Sequence, residues 1–371
     1  MTAANPLLEI PRYGQSIWMD NLSRNVIVSG ELERLISTRG IRGITSNPAI
    51  FEKAIAGNAI YDADIVAGAK AGLSVTQIYE SLVFKDIQDA CDIFLPIYES
   101  SQGLDGYVSL EVAPQLARDT AGTVREALRY AEAIHRPNLM IKIPGTPEGL
   151  IAVEQVIAAG VNVNITLLFS VQSYVDSAWA YIRGLEARVA KGEPIDRVAS
   201  VASFFLSRID TKVDKLLLAI GTDAAKALLG KVAIANAKVA YERFQEILQH
   251  PRWQALAAQG AKIQRLLWAS TSTKNPQYSD VMYVEELVGA NTVNTLPPET
   301  IEACADHCRI SDHLRDGFDQ AEQVLAQVRA LGIDLDQVMA ELLEEGIQKF
   351  IDPFTALMQS LSDKVAQLTP A

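Results

Sequence analysis

The sequence predicts an α/β fold, a closed (β/α)8 TIM barrel carrying additional helices. Short runs rich in β-branched and apolar residues recur eight times along the chain, separated by longer segments with helical periodicity. Strand, helix and strand repeated in this way imply a parallel sheet. Several runs are apolar almost throughout, as expected of strands covered on both faces. A doubly wound open sheet is the alternative reading, but no Gly-x-Gly-x-x-Gly fingerprint follows the first run.

The strands are expected near residues 16–20, 43–47, 107–112, 138–143, 162–169, 198–206, 265–271 and 291–296. The region 52–106 is longer than one crossover helix requires, so it should carry extra helices over one end. Within it, Ser74 and Gln77 make a capping box ahead of an apolar face of Ile78, Leu82, Val83, Ile87, Cys91 and Phe94. Val124, Ala127, Leu128, Ala131 and Ile134 form a second helical stripe. Leu150, Val153, Val156 and Ile157 form a third, closed by Gly160. Residues 211–248 are long enough for two helices, and 335–368 reads as helix interrupted at Pro353. With no linker rich in Gly, Pro or Ser, residues 1–371 are read as one domain.

A net charge of −12 argues against a general nucleic-acid binder, which would present a basic face. It is compatible with a small anionic ligand held by a few local cations and backbone N–H groups. Cys91, Cys304 and Cys308 are too few for a disulfide framework. No apolar run reaches the roughly 18 residues that a membrane helix needs, and the first residues lack a basic-then-apolar signal. A cytoplasmic protein with no nucleic-acid or membrane partner is the expectation.

In such barrels reactive groups sit at the C-terminal ends of the strands, and the unexpected polar residues lie there. Asp20 ends the first strand, Asn47 the second, and Glu111 interrupts the third. Lys142 stands inside Leu139-Met140-Ile141-Lys142-Ile143-Pro144. Asn164 and Thr166 lie in the fifth strand, Ser203 and Arg208 in and after the sixth, Ser270 and Lys274 after the seventh. A lysine flanked by Met140, Ile141 and Ile143 is costly to bury unless its amine reaches a pocket. There it could attack a ketone to form an imine, the recognised route for lysine nucleophiles. It could equally snorkel to water or pair with a carboxylate.

Asp20 and Glu111 could divide acid and base duties around that amine. The alternatives are a helix cap at Asp20 and an inert Glu111–Lys142 ion pair. Arg208, Lys274 and Ser270 would suit a phosphate. Cys304, His307 and Cys308 share a helix face, with His313 nearby. No spacing there completes a recognisable zinc site, so two packed cysteines and a surface histidine are expected.

These residues resemble the transaldolase family closely. The matching segments are Trp18-Met19-Asp20-Asn21-Leu22-Ser23-Arg24, Gly43-Ile44-Thr45-Ser46-Asn47-Pro48 and Val108-Ser109-Leu110-Glu111-Val112. They continue through Ile141-Lys142-Ile143-Pro144-Gly145-Thr146, Asn162-Val163-Asn164-Ile165-Thr166-Leu167-Leu168-Phe169-Ser170 and Ala202-Ser203-Phe204-Phe205-Leu206-Ser207-Arg208. The likeness is to the longer bacterial branch. It implies transfer of a dihydroxyacetone unit from sedoheptulose 7-phosphate to glyceraldehyde 3-phosphate, giving erythrose 4-phosphate and fructose 6-phosphate, in the non-oxidative pentose phosphate pathway.

By the same resemblance, Lys142 forms the Schiff base and Asp20 exchanges the C4-hydroxyl proton. Glu111, with Thr166 and a water, shuttles protons as the imine forms and hydrolyses. Asn47, Asn164 and Ser203 hold the donor, while Arg208 and Ser270 hold the phosphate. No metal or other cofactor is implied. One departure stands out. After the seventh strand the chain reads Ser270-Thr271-Ser272-Thr273-Lys274, where much of the family has an Arg two residues after the Ser. Lys274 is the candidate substitute.

The rival enzyme reading is a fructose 6-phosphate aldolase that releases free dihydroxyacetone; those relatives are much shorter and lack the glutamate seen here as Glu111. A non-catalytic sugar-phosphate binder or scaffold is the third reading, opposed by Asp20, Glu111, Lys142 and Thr166 occurring together. The expected partners are sugar phosphates, and the expected assembly is a monomer or homodimer.

Overall fold

In the computed structural model, which describes residues 5–368, eight strands run in chain order. They are β1 (Gln15–Asp20), β2 (Ile44–Thr45), β3 (Val108–Glu111), β4 (Leu139–Pro144), β5 (Val163–Leu168), β6 (Ser200–Phe205), β7 (Arg265–Ala269) and β8 (Thr292–Leu296). Each pairs in parallel with the next, and β8 returns to β1. The sheet is therefore a closed barrel in sequence order. The open doubly wound alternative is wrong.

Several of the hydrogen-bonded strands are shorter than the apolar runs that announce them. The second is the extreme case, with a ladder of only Ile44 and Thr45. Asn47 does not end a strand. Its backbone is extended and its side chain caps the helix Pro48–Ile55, accepting from the Ile50 N–H at 3.0 Å. Proline at the first helical position suits this start, since its missing N–H would be unpaired there anyway.

The additional helices are Pro48–Ile55, Asp62–Lys70 and Val75–Ser100 within the long second crossover. The capping box of Ser74 and Gln77 is formed, and every residue of the expected apolar face behind it is buried. In the helix Thr120–Ile134, Tyr130 joins the stripe and is buried with it. The helix Pro147–Ala158 stops before Gly160, whose φ of +90° and close approach to the Arg188 guanidinium leave no room for a side chain. Residues 211–248 hold the two expected helices, Ser207–Ile220 and Val232–Gln249, with the short turn Asp223–Lys226 between them.

The C-terminal segment corrects the sequence expectation. Leu335–Leu368 is one helix that continues through Pro353. A proline inside a helix costs roughly 3 kcal/mol. Here packing on both sides offsets it: Phe350 precedes the proline, and Leu357 and Leu361 follow it, all buried. Phe354 also meets Tyr79 edge-on at 5.4 Å. This helix crosses the C-terminal ends of the strands, touching Pro48–Ile55 and Val75–Ser100 on one side and Ser207–Ile220 on the other. Among the described residues, no helix is long and apolar enough to cross a membrane.

The opposite end of the barrel is plugged by charge. Asp105 accepts from Ser16 Oγ at 2.8 Å, Trp18 Nε1 at 3.1 Å and Arg265 Nη2 at 3.0 Å. Arg265 Nη1 donates to Ser16 Oγ at 2.9 Å, and both charged residues are about 95% buried. A buried pair of this kind contributes little net stability, but removing one partner strands the other charge. Asp105→Ala should therefore cost about 3–5 kcal/mol, read as the shift in a urea unfolding midpoint. Adding Arg265→Met should recover much of the loss; a cost for Asp105→Ala under about 1 kcal/mol would contradict the account.

Candidate active site

Barrel closure brings the polar strand residues to one level. In the registers of neighbouring strands, Glu111 on β3 lies beside Lys142 on β4, and Lys142 beside Asn164 on β5. Asp20 on β1 lies beside Thr45 on β2. Residues in register on adjacent strands present side chains to the same face, so one row of strand ends supplies several functional groups to the barrel mouth.

Lys142 is the centre of this row. Its side chain is 7% exposed and its Nζ is 3.8 Å from Glu111 Oε2. The amine also donates to the Ser46 carbonyl at 3.2 Å. It has not snorkelled to water. Neither Glu111 carboxylate oxygen has a hydrogen-bond partner. Burial pushes this carboxyl up to about 7, against the pull of Lys142 and with help from Asp20.

Asp20 accepts from Thr45 Oγ1 at 2.7 Å, and that hydroxyl lies 2.9 Å from Thr295 Oγ1 on β8. Burial raises the Asp20 carboxyl too, opposed mainly by the Lys142 charge. Asp20 does not cap a helix. Ser23 does so for the short helix Arg24–Val28.

Below the amine runs a chain of neutral groups. Ser203 Oγ donates to Asn164 Oδ1 at 2.7 Å, and Asn164 Nδ2 donates to Ser109 Oγ at 3.0 Å. Thr166 Oγ1 is fully buried without a partner. Buried polar groups are normally paired, so the free atoms of Glu111 and Thr166 mark a place built for something besides packing.

The mouth opens into a cavity of about 220 Å³. Asp20, Asn47, Lys142, Ser203, Arg208, Ser270 and Lys274 all line it. Glu111, Asn164 and Thr166 do not; they stand behind Lys142 in the barrel interior. Arg208 occupies the first turn of Ser207–Ile220, and burial lowers its guanidinium from the ordinary value. Ser270 sits at φ +56° and shares a 2.8 Å hydrogen bond with Ser207 Oγ. Lys274 is exposed and its Nζ donates to Ser272 Oγ at 2.5 Å. A larger cavity of about 750 Å³ lies among the outer helices near Arg243 and Met339. It holds none of these groups. Convergent carboxyls with shifted titration are the better marker of a reactive site.

Several contributors had not been singled out. Ser109 is two residues before Glu111 and Thr45 one before Ser46, so strand alternation alone could have placed Ser109 on the Glu111 face. Phe350 and Glu299 line the cavity from the helices Leu335–Leu368 and Pro298–His307, and no local signal announces them. The Cys304, His307 and Cys308 cluster does not converge. The helix ends at His307 and Cys308 turns extended, so the two cysteines pack inside while His307 faces Asp280 and Asp306 at the surface. His313 bonds to Ser311 instead. Among the described residues no group of three metal-binding side chains assembles.

A family model described as transaldolase/fructose-6-phosphate aldolase matches residues 17–361. A protein of Trichodesmium erythraeum named transaldolase is 64% identical, with 99% of each chain covered. One from Nostoc punctiforme named transaldolase 2 is 62% identical over 99% of this chain and all of the other. One from Thiobacillus denitrificans, named transaldolase, is 47% identical over 95% and 98% of the two chains. The barrel, the row of polar strand ends and the unbroken length of the match together place this chain in the transaldolase/fructose-6-phosphate aldolase family.

Proposed function

We propose that this chain is a transaldolase, a single catalytic barrel of the cytoplasmic non-oxidative pentose phosphate pathway. It would move a dihydroxyacetone unit from sedoheptulose 7-phosphate to glyceraldehyde 3-phosphate, releasing erythrose 4-phosphate and forming fructose 6-phosphate. The observation that carries the reading is the buried Lys142 amine, 3.8 Å from a carboxyl whose titration is raised to about 7. An amine in that setting can lose its proton to the adjacent carboxylate and attack a ketone. The full-length relatives named transaldolase support the same choice.

In this reading the steps are these. Lys142 attacks C2 of the donor while Glu111, through Thr166 and a water, accepts a proton from the amine. A second proton leaves the nitrogen by the same relay, and Glu111 delivers both to the C2 oxygen, which departs as water and leaves the protonated imine. The protonated imine draws electrons from the C3–C4 bond as Asp20 takes the C4-hydroxyl proton, and the aldehyde product departs. The enamine then attacks the acceptor aldehyde, whose oxygen regains a proton from Asp20, and hydrolysis frees Lys142. The imine nitrogen is the electron sink, so these steps call for no metal. Asn164 and Ser203, held in their hydrogen-bonded chain, orient the donor hydroxyls, with Asn47 at the rim. Arg208 and Ser270 hold the phosphate, and Lys274 adds a point charge there.

Borohydride trapping with fructose 6-phosphate should give an adduct on Lys142. Lys142→Ala should give none, and Lys142→Arg should have no measurable transfer because a guanidinium cannot form the imine. An adduct that persists in Lys142→Ala would defeat the mechanism. Cleavage that runs equally well without an acceptor aldehyde would favour the aldolase reading over transfer.

Asp20→Asn should still trap but lose transfer by about 10²–10⁴-fold, the usual worth of a positioned acid or base. Glu111 is needed ionised at the first step, so kcat/KM should fall as pH drops below about 7. Glu111→Gln should remove that limb and slow transfer by at least about 10²-fold. A pH profile unchanged by the substitution would remove Glu111 from the mechanism.

A further inference from the structure

Arg208 is placed unlike an arginine that serves the fold. Among the described residues no carboxylate pairs with it, and its Nη1 is buried without a partner. Aromatic rings hold it instead. The guanidinium carbon is 5.1 Å from the centre of Phe205, at the end of β6, and 5.9 Å from that of Phe350. Cations near the faces of rings are attracted by the ring quadrupole, more strongly where water is excluded. Phe350 is 4% exposed, and its ring is also 5.8 Å from Lys142 Nζ.

The C-terminal helix is shaped for this contact. One turn before Phe350 stands Gly346, where an added Cβ would lie 2.9 Å from Leu167 and 3.5 Å from Arg208 Nη1. A side chain there would press on Leu167 while only touching the guanidinium at ordinary contact distance, so glycine lets the helix lie close beside Arg208. The same helix brings acids close by, and each is occupied elsewhere. Glu341 and Glu345 bind Lys212 at 2.7 and 2.5 Å, and Glu344 binds Arg118. Arg208 is thus oriented by apolar faces and kept from neutralisation, the state suited to an incoming dianion.

The geometry points to Phe350 as the positioning residue that holds Arg208 for the sugar phosphate, so that preference for phosphorylated donors depends on the C-terminal helix. This rests on the reading of Arg208 as the phosphate group's partner. Phe350 touches no reacting bond; it acts through Arg208.

The test separates phosphate recognition from general packing. In Phe350→Leu, the KM for fructose 6-phosphate and the inhibition constant of inorganic phosphate should both rise about tenfold, as expected for losing a desolvated cation–ring contact. Borohydride trapping with dihydroxyacetone, which carries no phosphate, reads the ring's separate contact with Lys142 and should fall by clearly less than the phosphate-dependent constants. Phe350→Tyr, which keeps the ring, should retain the parent constants. In an Arg208→Ala background, Phe350→Leu should change the phosphate constant no further. Equal losses with dihydroxyacetone and fructose 6-phosphate would make Phe350 a packing residue and overturn the proposal, as would an unchanged phosphate constant. Should Phe350→Leu fail to fold, Phe350→Met is read by the same constants. If Arg208→Ala itself leaves phosphate inhibition untouched, the phosphate reading of Arg208 falls instead.

Discussion

Burying an amine and a carboxyl side by side in an apolar barrel is expensive, because each ion leaves water and their attraction returns only part of the cost. The Lys142–Glu111 pair meets this with one contact at 3.8 Å and, on the carboxylate, no hydrogen bond at all. A pair arranged for stability would be closer and better satisfied. The protein instead leaves both carboxylate oxygens free beside the amine, an arrangement that packing alone does not call for. The surroundings follow from that choice: Thr166 stands unpaired nearby, and Asp20 is held by Thr45 rather than by a cation.

The two ends of the barrel use charge in opposite ways. At the floor, Arg265 and Asp105 satisfy one another and their neighbours almost completely, which closes the barrel and fixes the ends of β1 and β7. At the mouth, Glu111 and Arg208 keep buried atoms without partners, and Lys142 Nζ has a backbone carbonyl and one long ion pair. Stability and chemistry are thereby separated along the barrel axis, as is usual in this architecture. The apolar layer between the strands and the outer helices bears the resulting cost, with Ile141, Ile143, Val163 and Ile165 fully buried.

Much of this was legible in the chain. All eight strands announce themselves as apolar runs between helical segments, because a parallel strand covered on both faces needs such residues. The reactive lysine could be picked out because a cation in such a run is locally inconsistent, and local inconsistency tends to mark function. What misled was punctuation. Pro48 and Asn47 read as the end of a strand but are the start of a helix, and Pro353 read as an interruption the helix does not make. In each case a local preference of a few kcal/mol yielded to capping or packing that only the folded chain supplies.

The sequence by itself determined the order of strands and helices, the polar residues at the strand ends, and the family that carries them. Those are properties of single segments, written in periodicity and composition. Only the tertiary structure decided that Glu111, Lys142 and Asn164 share one level, since that depends on the register of three strands. It alone placed Phe350 over Arg208 and Lys142, and Lys212 and Arg118 against the acids of the C-terminal helix. Those contacts join residues more than a hundred positions apart. Their energies arise from burial and distance, which no local pattern along the chain can encode.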